Sequence, residues 1–232
     1  MKTRTRRGAG SKTGKRAEQP AKRARSYHHG ELKAALLAAA ASVLADHGVE
    51  GFTLRECARR AGVSHGAPAH HFGDVRGLLS AFTAQSFEQL EALTREYQRK
   101  APSDGFSQLL ASGIAYVDYA LCERARFQLM FRRDRLDAAN EHLRRAGLAV
   151  FAILQESMAR TSAEAGAEGV MLPEKTALAW STVHGCATLL LENEGFASQT
   201  RGSRDKALAL IRKLISLSRS AYESTKPRAI PL

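Results

Sequence analysis

Cysteine is scarce and scattered in this 232-residue chain. Cys57, Cys122 and Cys186 are odd in number and far apart, so they frame neither a disulfide scaffold nor a zinc site. Such usage suits a reducing compartment, and a cytoplasmic location is expected. Long hydrophobic runs are also missing. The longest, Ala34 to Ala45, is broken by Ser42 and too short to span a bilayer. The N-terminal stretch lacks the apolar core of a signal peptide, and no membrane association is expected. Prolines number only six and β-branched runs are few, while Ala, Leu, Glu and Arg abound, which excludes a sheet-rich fold and favours helices throughout. Catalytic signatures are absent: there is no HExxH, no nucleophile elbow and no glycine loop that would cradle phosphate. The adjacent pairs His28-His29 and His70-His71 point to different faces of a helix and cannot grip one metal together. An enzyme, a metal and a cofactor are therefore not expected.

Acidic residues are outnumbered, 23 against 35 basic ones, for a formal charge of +12. That excess is concentrated at one end. Residues 1–25 carry ten basic groups and one acid, Glu18, leaving a balance of only +3 for the rest. With Gly8, Gly10 and Gly14 and no apolar periodicity, residues 1–26 read as a disordered basic arm. Such an arm binds DNA phosphates through counterion release or enters a minor groove; its bland alternative is a solvated tail.

The pattern beyond the arm is more specific. Phe52 to Leu79 reads as two short helices around a tight turn and the start of a longer one. Thr53 precedes the first apolar position and Glu56 stands three residues on, a capping box in which each satisfies the other's amide. Leu54, Cys57, Ala58 and Ala61 form the buried side, and Gly62 supplies the left-handed residue that ends the helix. Val63 plugs the turn and Ser64 caps the next helix, Ser64 to Phe72. In a helix-turn-helix that second helix lies in the major groove with its N-terminal residues on the base edges. Gly66, Ala67 and Ala69 allow close approach, and His65 and His70 offer donors and acceptors. Pro68 is tolerable only if the helix begins late, near Gly66 or Ala67. The candidate DNA-facing residues are Thr53, Arg55, Ser64, His65, Gly66, Ala67, His70, His71 and Arg76.

The interlocked positions Leu36, Ala39, Ala40, His47-Gly48, Phe52-Thr53-Leu54-Arg55, Ala58, Ala61-Gly62-Val63-Ser64, Gly66, His71-Phe72 and Leu78 resemble the TetR family of bacterial transcriptional regulators. Two positions depart from the family's pattern: Ala69 replaces a tyrosine of the recognition helix, and Val75 a lysine that opens the fourth helix. The resemblance implies an all-helical homodimer, with a DNA-binding N-terminal domain governed by a divergent domain that binds a small molecule. About nine helices are expected. Gly30–His47 is the first, with Leu32, Leu36, Ala40, Val43 and Leu44 at helical spacing. Asp74 caps a long helix from Val75 to about Lys100, and the run 101–105 breaks the pattern and recaps. Further helices are expected over Phe106–Leu121, Glu123–Phe131, Ala138–Ala163, Glu174–Phe196 and Ser203–Tyr222. Segments 27–75, 76–222 and 223–232 would be DNA-binding domain, ligand-binding and dimerisation domain, and tail.

In the C-terminal part, Trp180 and His184-Gly185 place indole and imidazole one turn apart on one helical face. They resemble the tryptophan–histidine–glycine signature of one C-terminal branch of the family, whose segment before the seventh helix is similar to 126–131. Trp180 and His184 with Tyr116, Tyr119, Phe127, Met130 and Phe131 form a candidate apolar ligand pocket with a few polar groups; equally, such a cluster can be plain core. Leu189, Leu208, Ile211, Leu214 and Ile215 give two helices broad apolar surfaces, as a four-helix dimer interface would need, with burial inside one chain as the rival. The expected function is a repressor released from a palindromic operator in double-stranded DNA by a small apolar effector. The alternative is an architectural protein that coats DNA through the arm.

Overall fold

The computed structural model describes residues 21–225, with side chains from residue 31 onward. Among these the chain is all-α. Eleven α-helices run α1 (Ala21–His47), α2 (Leu54–Ala61), α3 (Ala67–Phe72), α4 (Val75–Lys100), α5 (Gly105–Cys122), α6 (Arg124–Met130), α7 (Glu141–Glu164), α8 (Leu172–Glu192), α9 (Glu194–Ala197), α10 (Arg204–Leu217) and α11 (Arg219–Tyr222). Two of the expected helices are each divided. Asn193 ends α8 and its side chain caps the single turn of α9, and Ser218 likewise separates α10 from α11. The first helix begins at Ala21, not Gly30, so the last part of the expected arm belongs to α1. The remainder of the arm, residues 1–20, and the tail from 226 lie outside the described residues.

Helix ends follow the local chemistry of the sequence. Asp74 accepts from the Gly77 amide at 2.8 Å and Asp104 from that of Ser107 at 2.9 Å, so α4 and α5 start where a carboxylate can take an orphan N–H. Gly62, at φ 67°, closes α2: its amide bonds Arg59 O while Val63 N bonds Ala58 O, the paired bonds of a Schellman end.

Two buried clusters organise the molecule. The first packs Leu36, Ala40, Val43 and Leu44 of α1 with Phe52, Cys57 of α2, and Leu78, Leu79 and Phe82 of α4. Leu129 of α6 and Leu136, which follows a 3-10 turn at 133–135, are buried in this same cluster. The second cluster joins α4, α5, α6, α7, α8 and α10 around Leu90, Tyr116, Val117, Phe127, Met158, Val183, Ile211 and Ile215. Helix α4 belongs to both, so a boundary drawn at residue 75 or 76 runs along a shared helix.

Helices α5 and α10 are pinned by charge as well as by packing. Asp118, buried on α5, receives Arg204 Nε at 2.5 Å and Nη2 at 2.7 Å, and the Tyr97 hydroxyl of α4 at 2.7 Å. Burial by itself raises this carboxyl's pKa, but the guanidinium and phenol outweigh it and hold the pKa below the usual value. Close contact sets the crossing too: a Cβ at Gly113 of α5 would lie 2.4 Å from Ile215 Cδ1 of α10.

Candidate functional site

The reader is built from α1 to α3. Thr53 Oγ1 accepts from the Glu56 amide at 3.2 Å, the first half of the expected capping box. The second half does not form. Glu56 instead takes Arg59 at 2.6 and 2.7 Å and Arg60 at 2.7 Å, and these two guanidiniums draw its carboxyl down to about 2. Charge-assisted bonds outcompete a neutral amide for the same oxygens. Arg60 also reaches Asp46 at 2.5 Å, which ties α2 to α1.

Helix α3 is only six residues long because Pro68 can sit no deeper than its first turn. The cap is Gly66, with no side-chain bond; Ser64 contributes its carbonyl to the Ala67 amide at 3.0 Å instead of capping with its hydroxyl. Thr53, Arg55, Ser64, His65, Gly66, Ala69 and His70 are exposed, while Ala67 and His71 are half-buried and Pro68 is buried. The small, histidine-bearing surface read from the sequence is thus present as one short exposed element. Arg76 behaves differently: its guanidinium donates to the Leu136 carbonyl and straps the start of α4 to the C-terminal part.

The C-terminal helices enclose a cavity of about 600 Å³. Phe87 and Thr94 of α4, Leu109 and Tyr116 of α5, Met130 and Phe131, Leu143 to Leu154 of α7, Ala179, Trp180 and Val183 of α8, Ile215 and Tyr222 line it. Four expected pocket residues, Tyr116, Met130, Phe131 and Trp180, are among them. Three are not. Tyr119 is buried on another side of α5 with its hydroxyl on Gln89 at 3.4 Å, and Phe127 packs edge-on behind Tyr116, ring centroids 5.4 Å apart. His184 likewise stands behind the wall, its Nδ1 2.9 Å from the Tyr116 hydroxyl and its ring 4.5 Å from that of Phe131. Burial lowers the His184 pKa, partly offset by Glu192, which favours the neutral imidazole, and its Nδ1 shares a hydrogen bond with the Tyr116 hydroxyl. Burial, partly offset by a hydrogen bond with Trp180, pushes the Tyr116 phenol well above its usual value, which keeps it protonated.

Sequence reasoning missed the contribution of α7. Leu148 and Phe151 are partly exposed at the cavity rim, with the Phe151 ring edge-on to Trp180 at 6.1 Å. The signal was available: residues 147–154, Gly-Leu-Ala-Val-Phe-Ala-Ile-Leu, are apolar on every face, more than one buried stripe requires.

The segment 131–138 joins cavity to reader. Phe131, Arg133, Leu136, Asp137 and Ala138 line the cavity. Within the same stretch Arg132, at 2.7 Å, and Arg135 pair with Glu50 in the α1–α2 connection, Asp137 N donates to Ser80 Oγ at 2.8 Å, and Leu136 is buried in the reader's core.

The dimer candidates divide as well. Ile211 and Ile215 are 0% and 3% exposed and belong to the core of the chain itself, and Leu208 and Leu214 pack against that core, so these four do not form a free face. Leu189 remains outside at 43%, together with Leu178 of α8 at 42% and Leu217 of α10 at 79%. No helix among the described residues is long and apolar enough to cross a membrane.

Known proteins share both parts of this architecture. Residues 36–82 match the family described as bacterial regulatory proteins, tetR family, and residues 109–214 match the tetracyclin repressor-like C-terminal domain. The HTH-type transcriptional regulator BetI of Paraburkholderia phytofirmans is 35% identical over 86 residues, which is 37% of this chain and 44% of that protein, so the match spans less than half of the curated relative. A structure of a protein of unknown function from Rhodococcus sp. RHA1 is 30% identical with a TM-score of 0.68, over 89% of this chain and 97% of that one. PfmR, a TetR family transcriptional regulator from Thermus thermophilus, is 16% identical with a TM-score of 0.60, over 84% and 96% of the two chains, and is similar in fold.

Proposed function

The chain belongs to the tetR family of bacterial regulatory proteins, a DNA-binding helix-turn-helix regulator and not an enzyme, and from that premise we propose that it is a homodimeric repressor released from a palindromic operator by a small apolar effector. The observation that carries the proposal is the segment 131–138, whose residues wall the cavity and at the same time anchor the reader through Glu50, Ser80, Arg76 and the buried Leu136. A molecule that fills the cavity displaces Phe131 or Leu136, and a packed core answers such a displacement by shifting its neighbours because it has few voids to absorb it. In a dimer the two readers must lie about 34 Å apart to enter successive major grooves. A shift that changes this spacing loses operator contacts on both half-sites at once.

Exposed Ser64, His65, Gly66 and His70 support the base-reading role, and the exposed Leu178, Leu189 and Leu217 support the two-fold assembly. The test is a nuclease footprint of the full chain on DNA flanking its gene, at fixed salt. Protection of one or a few short palindromes is expected, with base preference altered by His65→Ala. Continuous protection along the DNA, indifferent to His65, would establish instead a coating protein driven by the basic arm.

A further inference from the structure

The cavity is chemically lopsided. Most of its interior polar groups are spoken for: Thr94 Oγ1 donates to Leu90 O at 2.7 Å, Ser112 Oγ donates to Gln108 O at 2.8 Å, and the Tyr116 hydroxyl is bound to His184, whereas the Tyr222 hydroxyl is buried without a hydrogen-bond partner. The charged lining residues, Arg133, Asp137 and Arg144, all come from residues 133–144, at the N-terminal end of α7. From Leu143 to Leu154 the lining then follows α7 for roughly 17 Å at 1.5 Å per residue, past Gly147, Val150, Phe151 and Ile153. One end is charged, and the rest is a long trough whose one unpartnered polar group among the described residues is the Tyr222 hydroxyl.

The charged end is cationic in what it offers. Arg132 and Arg135, on either side of Arg133, are both committed to Glu50, and Arg132 also to Asp134 at 2.8 and 2.9 Å. Arg133 has no ion-pair or hydrogen-bond partner among the described residues, and it lines the cavity. Arg144, also in the lining, is paired with Glu141 at 2.7 Å. The one carboxylate in the lining, Asp137, has Oδ1 occupied by the Ala139 amide at 2.9 Å. A neutral hydrocarbon would leave this end unused, and the one guanidinium there without an ion partner among the described residues, that of Arg133, favours an anion.

We infer that the effector is an elongated apolar acid, its hydrocarbon body in the trough along α7 and its carboxylate on Arg133. This rests on the cavity being the effector site and adds the ligand's class. Arg133 lies inside the segment that holds Glu50, so engagement of its guanidinium acts where the reader is anchored. A planar guanidinium suits a carboxylate because its two N–H groups match both oxygens.

Three probes of equal chain length separate the possibilities: dodecanoate, dodecan-1-ol and dodecyltrimethylammonium, each below its micelle concentration. Trp180, the one tryptophan, lines the cavity and reports occupancy by fluorescence. Dodecanoate is expected to bind at least about tenfold tighter than the alcohol, the worth of one charge-assisted hydrogen bond, with the cation weakest. Arg133→Gln, an exposed change that leaves the core intact, should bring acid and alcohol to equal affinity without altering the alcohol. If wild-type protein binds all three alike, the class is wrong while the cavity stands; if R133Q keeps the full preference for the acid, the assignment of its carboxylate to Arg133 is wrong. Binding of none of them would overturn the effector cavity itself and this inference with it. A final arm compares free dodecanoate with its uncharged methyl ester: equal or tighter binding of the ester shows that the carboxylate charge is not recognised and overturns the assignment to a free acid.

Discussion

The Tyr116 hydroxyl spends its hydrogen bond on His184, so the histidine that stood out in sequence acts on the cavity through a phenol. Removing the imidazole leaves a buried hydroxyl without its partner, a loss of about 1–2 kcal/mol. His184→Ala should therefore lower the melting temperature by several degrees while changing dodecanoate affinity less than Trp180→Ala does; the opposite ranking in paired calorimetric titrations would put His184 in the ligand's contact shell. The same residue gives a pH dependence. Its folded pKa lies below the usual value of 6.5, so between the two values the unfolded chain binds more protons and stability rises with pH. That contribution is complete above the unfolded value and is lost as the solution is acidified through the window. Urea midpoints of His184→Gln across this range should show a flatter slope than wild type.

Among elements, α5 carries the most. It lines the cavity with Leu109 and Tyr116, accepts α10 at Gly113, and fixes both α4 and α10 through Asp118. Asp118→Asn keeps the shape and removes the charge. Because Arg204 is half-exposed, solvent already screens part of the pair, and the expected cost is about 2 kcal/mol, below that of a fully buried pair. The carboxyl's pKa is held below normal, so its stabilisation is present above the unfolded carboxylate value and disappears as pH falls toward the folded one. Acid unfolding of Asp118→Asn should begin from a lower plateau and fall less steeply there; an unchanged denaturant midpoint at neutral pH would show the pair to be idle. At the reader, α3 is too short to be stable by itself and depends on packing against α2 and α4. This suits an element whose exposed residues are small.

At the scale of the molecule, the exposed large apolar residues on α7, α8 and α10 fall into two sets. Leu148, Phe151 and Trp180 surround the cavity, whereas Leu178, Leu189 and Leu217 lie away from its lining. Leu178→Glu with Leu189→Glu should yield folded monomers in sedimentation, with the helical circular dichroism of wild type. Ile211→Glu should instead unfold the chain, since it puts an unpaired carboxylate into a side-chain site of no exposure. A wild-type protein that sediments as a monomer at micromolar concentration would remove the basis for a two-half-site operator.

Local rules were enough for the sequence to determine the helical class and several helix ends, though not the start of α1 or the breaks at Asn193 and Ser218. The Thr53, Asp74 and Asp104 caps and the left-handed Gly62 depend on residues three or four apart, and the bounds of α4, Val75 and Lys100, were legible to the residue. The all-helical class and the kinship with the tetR family followed from the same short-range pattern. Tertiary structure alone decided what each apolar stripe meets. Helical periodicity says that Ile211, Leu214 and Ile215 share a side of α10; it cannot say that Gly113 lets α5 close over them and leaves Leu217 outside. Nor can it say that Tyr116 would screen His184 from the cavity, that Leu148 and Phe151 of α7 would stand at its rim, or that Leu136, 60 residues from Arg76 in sequence, would sit in the reader's core. Those outcomes depend on how helices cross, and crossing is fixed by contacts between residues far apart in the chain.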